Sequence, residues 1–114
     1  MLTVSVVVFA AAALGGLILA LHVLRQKFPP WALSILHALL GAAGLVLLLV
    51  AVLDGTTAPV ATWALVLFAI AALGGFFLAS FHYRKQLPAK GVVVLHAGIA
   101  VVAFGLLLSA LLVA

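Results

Sequence analysis

The chain has 114 residues, of which 70% are hydrophobic and 5% charged, and its mean hydropathy is +1.61. That composition excludes a water-soluble domain and describes a membrane protein. Five Lys and Arg against a single acid give a formal charge of +4. Five cations at helix ends facing anionic lipid account for this excess better than nucleic acid binding does.

Four apolar runs follow in chain order, at Leu2–Leu24, Trp31–Leu53, Val60–Phe81 and Gly91–Val113. Each is close to the roughly 20 residues that carry a helix across the hydrocarbon core. The first run lacks the basic start of a secretory signal, since Met1–Val8 contains no cation, and is expected to be a membrane span. Pro29, Pro30 and Pro88 stop helices at matching places, because proline cannot extend the hydrogen-bond ladder. Asp54-Gly55-Thr56-Thr57-Ala58-Pro59 is a turn signal at the opposite face. The expected fold is therefore an all-α integral membrane protein: one transmembrane domain over residues 1–114, folded as a four-helix up-down bundle.

The bundle is built from two tandem hairpin repeats, approximately residues 1–55 and 60–114. LGGLILALHVLRQKFPPWALSILHA from Leu14 recurs as LGGFFLASFHYRKQLPAKGVVVLHA from Leu73. A shift of 59 superimposes Arg25 on Arg84, Pro29 on Pro88 and His37 on His96, whereas His22 meets His82 only at 60. This reads as a one-residue slip within the first helix of one copy. Because each copy has two spans, both enter the membrane in the same direction and are related by an axis along the membrane normal. The first helix then lies diagonally across from the third, and the second from the fourth.

Arg25 and Lys27 lie in one connection, and Arg84, Lys85 and Lys90 in and after another. The positive-inside rule makes the loops at 25–30 and 82–90 cytoplasmic and leaves the termini outside, with a bacterial inner membrane as the expected location. Phe28, Trp31 and Tyr83 read as interfacial anchors on that side and Trp63 on the other.

Histidine is costly inside lipid because its ring nitrogens need partners, so four in apolar helices ask for a reason. All four lie toward the cationic side. His22 and His82 fall about 3–5 Å from the boundary and His37 and His96 about 9 Å inside, at a rise of ~1.5 Å per residue. Gly15 and Gly75 precede His22 and His82 by seven residues, and Gly44 follows His37 by seven, so small residues sit two turns deeper than each histidine. Gly41 and Ala100 add to them. Such residues make a slot for a flat macrocycle or simply let helices pack closely.

Haem b suits these features: neutral imidazoles ligate its iron, apolar walls surround it, and Arg25 and Arg84 stand ready for the propionates. His37 and His96 form the preferred axial pair. His22 and His82 are propionate or quinone partners, or ligands of a second haem, so the expectation is one haem, or two in a wider or oligomeric bundle. Ser34, three residues before His37, is a candidate to orient that ring. Ser80 and Ser109 are expected to bond back to their own helices. The chain has no cysteine and no intramembrane carboxylate, which disfavours zinc or copper at a four-histidine site and excludes a di-iron carboxylate centre or carboxylate-driven export.

Through His22, His37, His82, His96 and the flanking glycines, the chain resembles the small four-helix membrane b-type cytochromes. The resemblance implies electron transfer between a quinone pool and a partner subunit, with the histidines as haem ligands; it departs from those proteins in having no histidines at the second membrane face. The competing readings are a non-catalytic accessory or scaffolding subunit of a larger membrane complex, and histidines that merely meet water, carbonyls or headgroups at helix ends. No acid-base pair, nucleophile or phosphate loop supports further catalysis.

Overall fold

The structure is a computed structural model and describes residues 1–113. Four helices follow one another: α1 Leu2–Leu24, α2 Trp31–Leu53, α3 Pro59–Tyr83 and α4 Lys90–Leu112. All four are long and apolar enough to cross a membrane, and a 23-residue helix is ~35 Å long, enough to cover the hydrocarbon. Their outward faces carry large apolar side chains such as Leu14, Leu39, Leu73 and Val101. In lipid those faces need no cover, and helices satisfy their backbone polar groups internally. The chain is an integral membrane protein.

The helices pair as two hairpins, α1 with α2 and α3 with α4, which pack on each other through the thinner α1–α4 and α2–α3 contacts. Among the described residues the diagonal backbones, α1 with α3 and α2 with α4, make no close approach. The bundle measures 43 × 23 × 19 Å. This is the up-down topology expected from two tandem hairpins, with α1 opposite α3 and α2 opposite α4.

The repeat extends to the core. Phe9 and Phe68, Ala12 and Ala71, Leu48 and Leu107, and Ala51 and Ala110 are buried as pairs 59 residues apart. Phe9 and Phe68 reach across the α1–α3 diagonal and stack, with ring centroids 3.8 Å apart and planes 3° from parallel. Gly44 makes room for this ring: a Cβ there would lie 2.9 Å from Phe9 Cε1 and Cζ. Beside it, buried Ser5 donates to the Gly44 carbonyl across the α1–α2 interface, at 3.2 Å. Gly44 thus serves the phenyl stack, whereas nothing packs within 4 Å of a Cβ at Gly41.

The histidine offset is not a slip of the backbone. Helices α1 and α3 end in the same motif at a constant spacing of 59. Lys27 N–H donates to the His22 carbonyl as Gln86 N–H donates to that of Phe81, and Gln26 N–H reaches Val23 as Lys85 N–H reaches His82. Gln26 and Lys85 both take the left-handed conformation, at φ 60° and 57°, which closes a helix by returning amides to its last carbonyls. His22 therefore corresponds to Phe81, and His82 to Val23. The two outer histidines share an identity but not a position.

Gly44→Ala tests the packing of the stack. The added methyl group must push a ring that is itself held by Phe68, and the bundle is expected to lose about 1–3 kcal/mol in a reversible unfolding titration in mixed micelles. Gly41→Ala, with open space at the same helix, is expected to leave stability unchanged or raised.

Candidate functional site: a pair of facing histidines

His37 and His96 are delivered to the middle of the bundle by equivalent turns of α2 and α4. Their rings meet across the diagonal, with centroids 6.4 Å apart and planes at 81°. Each is accommodated by the paired glycines of its hairpin partner. A Cβ at Gly16 would sit 2.8 Å from His37 Cε1, and one at Gly75 would sit 3.2 Å from His96 Cε1. Gly15 and Gly74 flank the same two rings at 3.8 and 3.5 Å. The Gly-Gly motifs therefore face the deep histidines of the following helices. Any larger residue at 16 or 75 would displace an imidazole.

His37 Nδ1 lies 2.8 Å from the Ala12 carbonyl. A carbonyl only accepts, so Nδ1 carries the proton and Nε2 keeps a bare lone pair. That is the tautomer of a metal-ligating histidine, whose second nitrogen is fixed by a backbone acceptor. At His96 the corresponding acceptor is the Ala71 carbonyl, in a looser contact than that of His37 with Ala12. The two copies hold equivalent rings against equivalent carbonyls.

The outer histidines are separate from this pair and from each other. His22 Nδ1 donates to the carbonyl of Ile18 on its own helix, at 2.8 Å. His82 is held by α2 instead: its ring stacks on Trp31, at 3.9 Å between centroids and 11° between planes. Ser34 Oγ lies 3.0 Å from His82 Nδ1, and Phe28 lies at 6.4 Å. Ser34 thus orients His82 across the α2–α3 interface and not His37 on its own helix. Trp31 does more than anchor, since it covers one face of an imidazole. Among the described residues no three His or acidic side chains gather as ligands for a metal ion, so a single four-histidine zinc or copper site is not assembled.

Arg25 and Arg84 occupy equivalent C-caps of α1 and α3. The Arg84 guanidinium lies 4.9 Å over the Phe81 ring, and its Nε donates to the Ser80 carbonyl at 3.2 Å. Ser80 and Ser109 donate to carbonyls three residues back in their own helices, at 2.6 and 2.7 Å.

Sequence reasoning found the deep pair but missed Ala12, Gly16 and the Trp31–Ser34–His82 cluster. The constant spacing of 59 carried the signal, because it sets Val23, not His22, opposite His82.

Gly16→Ala places a methyl group against His37 and is expected to break the Ala12 hydrogen bond. Nitrogen-15 NMR of the imidazoles should show His37 losing its fixed Nδ1–H tautomer, with a stability loss of about 1–3 kcal/mol; Gly75→Ala, with more room, should be milder. The chain matches no family model, no curated protein and no solved structure.

Proposed function

We propose that this protein is a small membrane b-type haem protein for electron transfer, with His37 and His96 as the axial ligands. The observation that carries the reading is the meeting of these two imidazoles at 6.4 Å across the bundle. The two imidazoles, coming from opposite helices, would each offer a nitrogen to a haem iron. The chemistry of the donors agrees. A bare metal ion needs three or four protein ligands, whereas haem brings four nitrogens of its own and asks for two more.

The surroundings fit the same group. The Ala12 carbonyl holds the His37 ring with Nε2 unprotonated. The Ala71 carbonyl faces the equivalent His96 ring. Gly16 and Gly75 leave the ring edges uncovered by side chains. Arg25 and Arg84 lie toward the end of the bundle nearer the two histidines and offer charge to carboxylates. One haem is the count that suits the chain, since His22 and His82 stand at non-equivalent positions and have other partners.

Bound haem supplies a one-electron centre that passes between ferric and ferrous iron. The protein's part is to fix two neutral imidazoles, keep their protons on Nδ1 and shield the centre with apolar helices. With both ligands toward the cationic end, electrons are exchanged there, with a quinone pool or a partner subunit. By the positive-inside rule that end is cytoplasmic, in a bacterial inner membrane.

The detergent-purified chain, expressed with ample haem, is expected to show sharp reduced α and Soret bands, and a pyridine haemochrome assay should count one haem per chain. His37→Ala and His96→Ala should each abolish haem retention. His22→Ala should leave the spectrum intact. A colourless wild-type protein, or haem lost with His22 and kept without His37, would overturn the assignment and leave a packing subunit.

A further inference from the structure

A pocket lies at the corner where α2 meets α3. Phe28, Pro29 and Trp31 at the start of α2 face His82 and Lys85 at the end of α3, around an open cavity of about 340 Å³. His82 is held in place by the Trp31 stack and by Ser34. Lys85 is set by the left-handed turn that ends α3. At the equivalent corner, between α4 and α1, stand Val23 for His82, Gln26 for Lys85, Val93 for Ser34 and Lys90 for Trp31. Val23 and Val93 are both buried. The fold therefore closes that corner with two valines where it needs only packing, and the polar set at the α2–α3 corner is not demanded by the bundle.

We propose that this pocket binds the phosphate headgroup of one anionic phospholipid. It lies at helix ends, where headgroups sit, and every Lys and Arg of the chain lies at this end while the one acid, Asp54, lies at the other. The Lys85 ammonium supplies charge. Ser34 Oγ and His82 Nδ1 share a hydrogen bond and the Pro29 carbonyl also lies within reach of the ring, so the imidazole is held as a polar wall of the pocket and the Lys85 ammonium is its phosphate donor. Phe28 and Trp31 give an apolar and aromatic wall to the glycerol and upper acyl chain, as such residues do at membrane interfaces. The α1–α4 corner offers Gln26 and two valines in place of Lys85, His82 and Ser34, with Lys90 and Leu87 where Trp31 and Phe28 stand, so it lacks the aromatic wall and the expected stoichiometry is one lipid per chain. The site is independent of haem.

The test is native mass spectrometry of the full chain released from micelles containing equal phosphatidylglycerol and phosphatidylcholine of matched acyl chains. One phosphatidylglycerol should be retained in preference to phosphatidylcholine. Lys85→Gln should lower that preference about fivefold, the worth of one cation near a membrane surface. The His82→Val/Ser34→Val pair copies the α1–α4 corner and so should fold, and it should also lower the preference. The Lys27→Gln variant removes equal charge outside the pocket and should change little. Equal losses from Lys27→Gln and Lys85→Gln would reduce the effect to diffuse surface charge and overturn the proposal. Displacement of the lipid by millimolar inorganic phosphate would assign the pocket to a soluble anion instead, and displacement by a short-chain quinone would assign it to a quinone.

Discussion

A ring at the centre of a close-packed membrane bundle needs a neighbouring helix without a side chain in front of it. Lipid gives no hydrophobic drive for helices to associate, so contact must come from backbones that approach and side chains that interlock. This chain meets the requirement repeatedly. Phe9 lies against Gly44, His37 against Gly16, and His96 against Gly75. Each glycine lets one helix of a hairpin close onto a ring carried by the other. The rings then project far enough to meet their twins across the diagonal. The phenyl stack and the imidazole pair are thus two uses of one device, set roughly 10 Å apart by the seven residues between His37 and Gly44.

Duplication supplies the pairs for this device. When two hairpins are related by an axis along the bundle, a side chain that reaches the axis meets its own equivalent. A stacked phenyl pair is favourable there, worth about 0.5–1.5 kcal/mol beyond its burial. A pair of neutral imidazoles gains less from itself, and each ring still needs a partner for its nitrogens. His37 Nδ1 donates to the Ala12 carbonyl, and His96 faces the equivalent Ala71 carbonyl. Leucine at either position would need no such acceptor.

How much of this could be read in the letters depended on which physical rule carried each part. Span length and apolarity placed all four helices within about two residues of their ends, because membrane thickness sets element length directly. The pairing of His37 with His96 followed from equal depth and equal place in the repeat. The outer histidines misled because residue identity was matched in preference to residue position. The hydrogen bonds that end α1 and α3 keep the spacing of 59, and the buried Val23 stands where His82 does. Nor does a sequence say which neighbour a serine will choose. Ser34 sits one turn from His37 on the same helix, yet a helical face points its hydroxyl across to α3 and His82.

Divergence between the copies then separates what the fold requires from what has been added to it. Positions that stay alike, such as Phe9 and Phe68 or His37 and His96, lie on the axis, where a change in one copy strikes the other. The corners between hairpins are different, since each copy there faces a different helix and can change alone. His82 with Ser34 and Trp31, against Val23 with Val93 and Lys90, is such a corner. A buried valine pair costs nothing in polar satisfaction, whereas a histidine there must be held by a hydroxyl and covered by an indole. Since the fold demonstrates the cheaper solution at its α1–α4 corner, the polar α2–α3 corner is better explained by something it contacts than by the bundle it belongs to.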